Sequence, residues 1–235
     1  MNHHARMFMF FVFVFGSSHT RERVRIVMRS FYNSRILPCC LDMACGLTPI
    51  LMQREKIVPL ALGEVLEIGI GSGLNLPYYQ PEKVARIVGV DPDDHSWKLS
   101  EERRSQISIP IERIGVSGER IPLDDDSFDS VVITYSLCTI PDPVQALQEA
   151  KRLLRPGGRL YFCEHGLAPD AGVAKWQKRI DPFWKVVAGG CHSGRDIPAI
   201  FEAAAFEFES LDEMYITRGL KVLSYNYWGI AKVSD

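Results

Sequence analysis

The sequence lacks several features that would place it in a specialised class of protein. Its 235 residues include 27 basic and 29 acidic side chains, so the net charge is only -2 and nothing favours nucleic acid as a partner. The intensely apolar run from Met7 to Phe15 is nine residues long, whereas a membrane-spanning helix needs about 20. No internal repeat or low-complexity segment is visible. These absences leave one globular domain as the simplest organisation.

The six cysteines form no C-x-x-C pair. A chain of this length does not need disulfide staples, so we expect reduced thiols and a cytoplasmic protein. The group Cys39, Cys40 and Cys45 lacks the second matching pair of a structural zinc site. Consecutive acids from Asp124 to Asp126 are typical of a solvated turn. We therefore expect no metal site.

The apolar run near the amino terminus leaves several explanations open. It resembles the core of a secretory signal, followed by small residues from Gly16 to Ser18. It also fits a short anchor at a membrane surface, or a start codon placed too early, with Met28 as the true first residue. The last two are favoured and the sequence does not separate them. We therefore treat 1–28 as an extension and 29–235 as a single domain.

The most informative stretch is VLEIGIGSGLN, from Val65 to Asn75. An apolar strand contains Glu67 and is followed by glycines at 69, 71 and 73. Glycine is needed where a chain leaves a strand and folds back tightly beside a ligand. The dinucleotide fingerprint G-x-G-x-x-G would require glycine at position 74, which is leucine. The turn therefore favours a cationic, zwitterionic nucleoside such as S-adenosylmethionine over a pyrophosphate.

Apolar runs alternate with helical segments along the rest of the chain. The predicted strands are 65–68, 86–91, 111–116, 130–135, 159–163, 206–214 and 221–233. The predicted helices are 29–58, 75–80, 143–155 and 196–205. This alternation predicts an α/β fold with a doubly wound, mostly parallel seven-stranded sheet and an antiparallel C-terminal edge pair. Segment 29–58, interrupted by Pro38 and Pro49, is expected to be a helical lid over the ligand cleft or a packing helix.

A second acid supports a nucleoside site. Asp91 ends the predicted second strand, 18 residues after Gly73. A carboxylate at that strand end is placed to accept hydrogen bonds from both ribose hydroxyls.

Taken in order, these motifs resemble those of the Rossmann-like S-adenosylmethionine-dependent methyltransferases. The matching features, spread over roughly 60–166, are Glu67-x-Gly69-x-Gly71-x-Gly73, Asp91, Phe128-Asp129 and Leu153-Leu154-Arg155-Pro156-Gly157-Gly158. A narrower set resembles small-molecule methyltransferases related to the alkyl thiol S-methyltransferases: Leu137 to Ile140, Glu164-His165-Gly166, Trp184 and Gly190-Cys191. More distant likeness runs to quinone-pathway C-methyltransferases and phospholipid N-methyltransferases.

The resemblance implies a cofactor site for S-adenosylmethionine. Glu67 and the backbone of Gly69, Gly71 and Gly73 would hold the methionine end, and Asp91 the ribose. Pro92 and Asp93 would flank the adenine, Gly118 and Glu119 would frame its polar edge, and Ser136 would line the cleft near the sulfonium. One departure concerns Ser117, which stands where quinone-type relatives usually carry an aspartate for the adenine amino group.

Methyl transfer from a sulfonium depends mainly on aligning the nucleophile and excluding water. A base is needed only for weakly acidic acceptors. The candidate catalytic residues are Glu164, His165, His192 and Cys191. Cys138 is expected to be an apolar lining residue, since no basic partner is adjacent in the sequence. The aromatic group Trp176, Phe183 and Trp184 predicts either an apolar acceptor pocket or ordinary core.

The sequence therefore predicts an enzyme that transfers a methyl group from S-adenosylmethionine to a small apolar or amphipathic acceptor. A thiol is the first choice, and a phospholipid amine or a quinol the second. The rivals are a nicotinamide-dependent oxidoreductase, which Leu74 disfavours, and a catalytically silent S-adenosylmethionine-binding module. The predicted partner is the small-molecule acceptor, without nucleic acid, and with membrane-surface contact through the apolar extension.

Overall fold

The computed structural model describes residues 32–217 and 219–234. The interpretations of the extension 1–28 lie outside the described residues. The helices are α1 Leu37–Cys45, α2 Thr48–Ile57, α3 Asp94–Leu99, α4 Glu101–Ser105, α5 Pro143–Leu153, α6 Ala171–Val187 and α7 Ile197–Ala203. The strands are β1 Gly63–Ile68, β2 Val84–Val90, β3 Ile111–Ile114, β4 Phe128–Thr134, β5 Leu154–His165, β6 Phe206–Tyr215 and β7 Tyr225–Val233.

The seven strands form one sheet in the order β3-β2-β1-β4-β5-β7-β6. Strands β1 to β5 are parallel, while β7 runs antiparallel to both β5 and β6. The predicted fold class is confirmed. The strand order reverses between β1 and β4, and in such sheets ligands bind in the crevice beyond the carboxyl ends of the strands at this point.

The central strands are buried on both faces, which explains their nearly continuous apolar sequence. Leu66 and Ile68 of β1 pack into the core that includes α5 and α7, together with Phe162 of β5. Val65 and Val132 face the opposite core, beneath the end of α2. Each such side chain contributes about 1.5–3 kcal/mol when fully buried. The two cores fix the strand ends that carry the site.

The amino-terminal segment is divided more finely than its sequence pattern predicts. A π-helical turn, Tyr32–Ile36, leads into α1, and α2 follows after Gly46 and Leu47. Pro38 and Pro49 lie in the first turns of these helices, where a missing N–H costs little.

Two other helix predictions need correction. The predicted helix 75–80 is only a 3-10 turn, Leu76–Tyr78, and the side chains of Asn75 and Tyr79 on either side of it bond a neighbouring carboxylate. Helix α6 was not predicted. It contains Pro182, and its one fully buried side chain is Gln177, so it lacks the apolar buried stripe that marks a core helix.

None of the helices in the described part of the chain has both the length and the apolar character required to cross a bilayer.

Candidate active site

The glycine turn closes the carboxyl end of β1. Gly69 has φ +81°, and a Cβ placed there would lie 2.0 Å from Oγ of Ser136. Only glycine therefore lets the β1 turn approach the end of β4 so closely. Gly71 has φ +48°, yet a Cβ there would meet nothing nearer than Oδ2 of Asp91, 3.7 Å away, among the residues described. A Cβ at Gly71 would thus make only ordinary van der Waals contacts, so the turn is less crowded there than at Gly69.

Asp91 lies directly after β2, beside this turn. Its Oδ2 accepts the N–H of Gly71 at 3.0 Å and its Oδ1 accepts the N–H of Asp93 at 2.8 Å. Burial raises the pKa of the Asp91 carboxyl, and these two hydrogen bonds oppose the rise. Each oxygen keeps a further lone pair for a ligand. The predicted ribose acceptor is therefore at the turn, although its contact with ribose stays a prediction.

Glu67 lies beneath the turn, fully buried in β1. Its Oε1 accepts from Nδ2 of Asn75 at 2.9 Å and its Oε2 from the hydroxyl of Tyr79 at 2.6 Å. Burial raises the pKa of Glu67 to about 7, against the lowering effect of these two hydrogen bonds. Glu67 therefore supports the turn from below, and its predicted contact with the methionine end of the donor stays a prediction.

Arg54 of α2 extends this buried polar network, and the sequence interpretation missed it. Its Nη1 donates to Oδ1 of Asn75 at 2.8 Å and to Oγ1 of Thr134 at 2.5 Å. The guanidinium also lies 5.0 Å from the ring centroid of Tyr135. Its buried Nε has no hydrogen-bond partner among the residues that the structure describes. The network joins residues from three separate segments, so no local motif signals it.

Helices α1 and α2 lie against the same turn. Arg103 of α4 pairs with Asp42 of α1 at 2.9 Å and donates to the carbonyl of Ser72 at 2.8 Å. Together with Arg54, this places the amino-terminal helices over the predicted cofactor site. Their opening and closing as a lid stays a prediction.

The residues assigned to the adenine end also hold the local fold. Asp93 caps α3 by accepting the N–H groups of His95 and Ser96, and Pro92 links it to Asp91. Gly118 packs tightly on β1, because a Cβ there would lie 2.6 Å from Cγ2 of Ile68.

Glu119 joins two loops at the same edge. It accepts from the hydroxyl of Ser117 at 2.6 Å and from the N–H of Asp142 at 2.7 Å. The adenine contacts of all four predicted residues, Pro92, Asp93, Gly118 and Glu119, stay predictions.

The end of β4 forms the opposite wall. Tyr135 has φ +52°, and the N–H groups of Ser136 and Leu137 then both donate to Oε1 of Glu164, at 2.7 and 3.0 Å. Glu164 is fully buried, and burial raises its pKa to about 8. Its Oε2 has no partner within the described chain.

Beside this wall the structure brings His165 and Cys191 together. Nε2 of His165 lies 3.2 Å from Sγ of Cys191. The sulfur of Cys138 belongs to the same group, in which all ligand-type atoms lie within 4.8 Å of one another. The N–H of His192 donates to the carbonyl of Cys138 at 2.8 Å and so holds the two loops together.

Cys138 has a basic neighbour in the fold, although none is adjacent in the sequence, and its role as an apolar lining residue stays a prediction. His165 is the last residue of β5 and Cys138 follows β4, so they meet only through the parallel pairing of these strands. The pKa of the Cys138 thiol is lowered, first by a hydrogen bond from Cys191 and then by the neighbouring His165 imidazole. The imidazole of His192 is engaged elsewhere, with Nδ1 2.8 Å from Oδ2 of Asp181 on α6.

The prediction that the aromatic group forms ordinary core is wrong for two of its members. Trp176 is 57% exposed and Phe183 is 71% exposed on α6. The alternative, an apolar acceptor pocket, stays a prediction.

Comparison with known proteins agrees with this geometry. Residues 66–162 match the family model of a methyltransferase domain. The chain is 36% identical over 152 residues to the thiol S-methyltransferase TMT1B of Rattus norvegicus, covering 63% of this chain and 62% of the relative. It is 38% identical over 162 residues to TMT1B of Homo sapiens, covering 66% of each. The chain thus spans just under two thirds of the length of these two relatives.

A solved structure extends the likeness to the whole fold. An S-adenosylmethionine-dependent methyltransferase from Thermotoga maritima superimposes with a TM-score of 0.57 at 20% sequence identity, covering 90% of this chain and 96% of that one.

These findings define the class that the chain resembles: residues 66–162 match the model of a methyltransferase domain, and the fold is that of solved S-adenosylmethionine-dependent methyltransferases. Within that class it is similar to thiol S-methyltransferases. The predicted resemblance is confirmed, and the matches favour a methyltransferase over the nicotinamide-dependent alternative.

Proposed function

We propose that the protein uses S-adenosylmethionine to methylate the sulfur of a small apolar thiol. The observation that carries the proposal is the meeting, at one crevice, of the glycine turn with a wall that holds Cys138, His165 and Cys191. The similarity to thiol S-methyltransferases supports a thiol as the acceptor.

The residues around the turn fit the donor. Asp91 has lone pairs free for ribose hydroxyls, and it lies directly against the turn from Gly69 to Gly73 through its hydrogen bond to Gly71. The buried Nε of Arg54, without a partner in the described chain, would donate to the methionine carboxylate. Pro92, Asp93, Gly118 and Glu119 would surround the adenine. The bound donor would supply an electrophilic methyl group.

Methylation of a thiol requires little acid–base catalysis from the protein. A thiol with a pKa of about 8.5 is partly ionised near neutrality, whereas a phenol near 10 needs a base. The main work is then alignment and exclusion of water. Ser136, held by Glu164, shapes the wall beside the sulfonium, and His165 and Cys191 would line the acceptor end. His192 would position the Cys191 loop through its N–H bond to Cys138.

We also propose that the protein is cytoplasmic and that 29–235 forms a single domain.

We further propose that the protein touches a membrane surface. Several large apolar side chains near the amino-terminal helices and on α6 face solvent. They are Met43, Leu47, Met52, Trp176, Phe183 and Val186. Together with the apolar run at 7–15, they suit contact with a lipid surface or with an apolar acceptor dissolved in it.

A labelled-donor assay tests the acceptor. The purified protein is incubated with methyl-labelled S-adenosylmethionine and an aliphatic thiol, a phenol, a quinol or phosphatidylethanolamine vesicles, and products are identified by mass. We expect a labelled methyl thioether. A labelled product from only another acceptor would overturn the thiol assignment. Donor binding without any product would instead indicate a silent binding module.

A further inference from the structure

The cluster of Cys138, His165 and Cys191 contains the ligand set of a metal site. Two sulfurs and one imidazole nitrogen lie within 4.8 Å of one another at the acceptor end of the crevice. We propose that these three residues bind one zinc ion, and that its fourth coordination position takes the sulfur of the acceptor thiol. The second part of this proposal rests on the proposed function.

The distances suit tetrahedral zinc. Zinc–sulfur bonds of about 2.3 Å and zinc–nitrogen bonds of about 2.0–2.1 Å place a sulfur and a nitrogen ligand about 3.5 Å apart. Nε2 of His165 is 3.2 Å from Sγ of Cys191, so a few tenths of an ångström of adjustment would admit the ion. Two thiolates with one imidazole favour zinc over magnesium or calcium, which prefer oxygen ligands.

The surroundings suit a site with one open position. Cys138 is buried, whereas His165 and Cys191 each keep part of their surface exposed, and a fourth ligand would enter from that side. Three protein ligands with a fourth place for water or substrate are typical of catalytic rather than structural zinc.

Unpartnered polar atoms beside the cluster also indicate a site for an ion or a ligand. Within the described chain, Oε2 of Glu164, Nδ1 of His165 and Nε1 of Trp184 are buried without a hydrogen-bond partner. Such groups are costly when left alone, and they commonly mark an ion or ligand site. Cys138 is also two residues beyond Ser136, whose hydroxyl faces Gly69 of the turn, so the cluster adjoins the site proposed for the donor.

This site differs from the sequence expectation of no metal, which was based on Cys39, Cys40 and Cys45. The three ligands proposed here come from segments after β4, at the end of β5 and after α6. They therefore have none of the short spacings by which zinc sites are recognised in sequence.

Zinc at this position would give the acceptor sulfur a defined role. On binding, the thiol gives up its proton to solvent and its sulfur becomes a metal-bound thiolate, held next to the donor site. That sulfur forms the new bond to the methyl carbon. The bond from this carbon to the sulfonium sulfur breaks, and its electron pair stays on the donor sulfur. No oxidant or reductant is required.

Metal analysis of the full chain tests the site without reference to activity. Protein purified without chelator is analysed for zinc, and the zinc-free protein is titrated with Zn²⁺ and with Co²⁺. We expect one zinc per chain, and thiolate-to-cobalt charge-transfer and tetrahedral cobalt bands in the absorption spectrum. Cys138→Ser and Cys191→Ser should weaken binding by more than the ~10–100-fold typical of losing a residue that only orients a ligand.

Two controls separate the cluster from other thiols. Cys163→Ala removes a buried cysteine outside the cluster, and Cys40→Ser an exposed one; both should keep full zinc affinity. Absence of zinc binding in folded, reduced wild type would overturn the proposal. So would retention of zinc by both cluster variants, or a Cys138–Cys191 disulfide as the isolated form.

A final comparison tests the role of the ion. Chelation should abolish methylation of the thiol while leaving donor affinity, measured by calorimetry, unchanged. A zinc-free protein that methylates the thiol at full rate would overturn the assigned role. Zinc binding without methylation of any thiol would instead leave the metal site intact and overturn the proposed function.

Discussion

Burial raises the pKa values of two carboxylates beside the glycine turn, and each carboxylate has a different set of donors. Asp91 accepts two backbone N–H groups, whereas Glu67 accepts only side-chain donors. Asp91 can therefore offer its remaining lone pairs to a ligand. Both oxygens of Glu67 instead bond side chains of the folded network, so its protonation state affects the stability of the fold. These differences lead to two separate predictions.

Asp91→Ala should weaken S-adenosylmethionine binding by about 10–100-fold, because a hydrogen bond to a charged group contributes about 1.5–3 kcal/mol. Calorimetric titration measures the change. Asp94→Ala is the matched control: its carboxylate is 82% exposed and pairs with Arg113, so donor affinity should stay near that of the wild type. Equal affinities for Asp91→Ala and the wild type would show that the ribose assignment is wrong.

Glu67 should make stability fall as pH rises. Its pKa is about 7 in the folded protein against 4.5 for an ordinary glutamate, so between these values the unfolded chain is ionised while the folded carboxyl keeps its proton. The stability contributed by the protonated group is complete below pH 4.5 and is lost by pH 7, a change of about 3 kcal/mol.

The free energy of unfolding of the wild type and of Glu67→Gln is measured in urea from pH 4.5 to 8. The difference between the two values isolates this effect, because the other titrating groups contribute equally to both proteins. We expect the wild type to lose stability relative to the variant as pH rises to 7, and the difference to be constant above that. Parallel curves throughout would contradict the buried, protonated state of Glu67.

At the scale of elements, the sequence predicted the parts whose signals are local. The central strands were recognisable because burial on both faces demands continuous apolar runs, and the β1 turn because its glycine spacing is short. Helix α6 was missed because its apolar side chains Trp176, Phe183 and Val186 face solvent. Arg54 and the Cys138, His165 and Cys191 cluster were missed because their members meet only after the sheet has formed.

Donor binding should slow amide hydrogen exchange in α1 and α2. These helices are tied to the turn through Arg54 and through the Arg103–Asp42 pair, so a ligand bound there should stabilise them. Exchange measured by mass spectrometry with and without the donor checks this. β6, at the far edge of the sheet, is the internal reference and should not change. Unchanged exchange in 37–57 at saturating donor would rule out a lid coupled to the site.

At the scale of the whole molecule, the apolar extension and the domain that carries the proposed donor site should be separable. A chain that begins at Met28 should bind the donor with the affinity of the full chain, because the described contacts around the turn all lie within 42–164. It should bind lipid vesicles much more weakly, since it lacks the apolar run at 7–15. Cosedimentation with vesicles and calorimetry check the two parts. Equal vesicle binding by both chains would contradict membrane contact through the extension.

The structure of the protein bound to S-adenosylmethionine would be the most direct test of the nucleoside site. We predict density along the Gly69 to Gly73 turn, with the ribose hydroxyls on Asp91 and the methionine carboxylate at Arg54. Density in another part of the molecule, or none at a donor concentration that saturates binding, would contradict the assignment of this turn as the methyl-donor site.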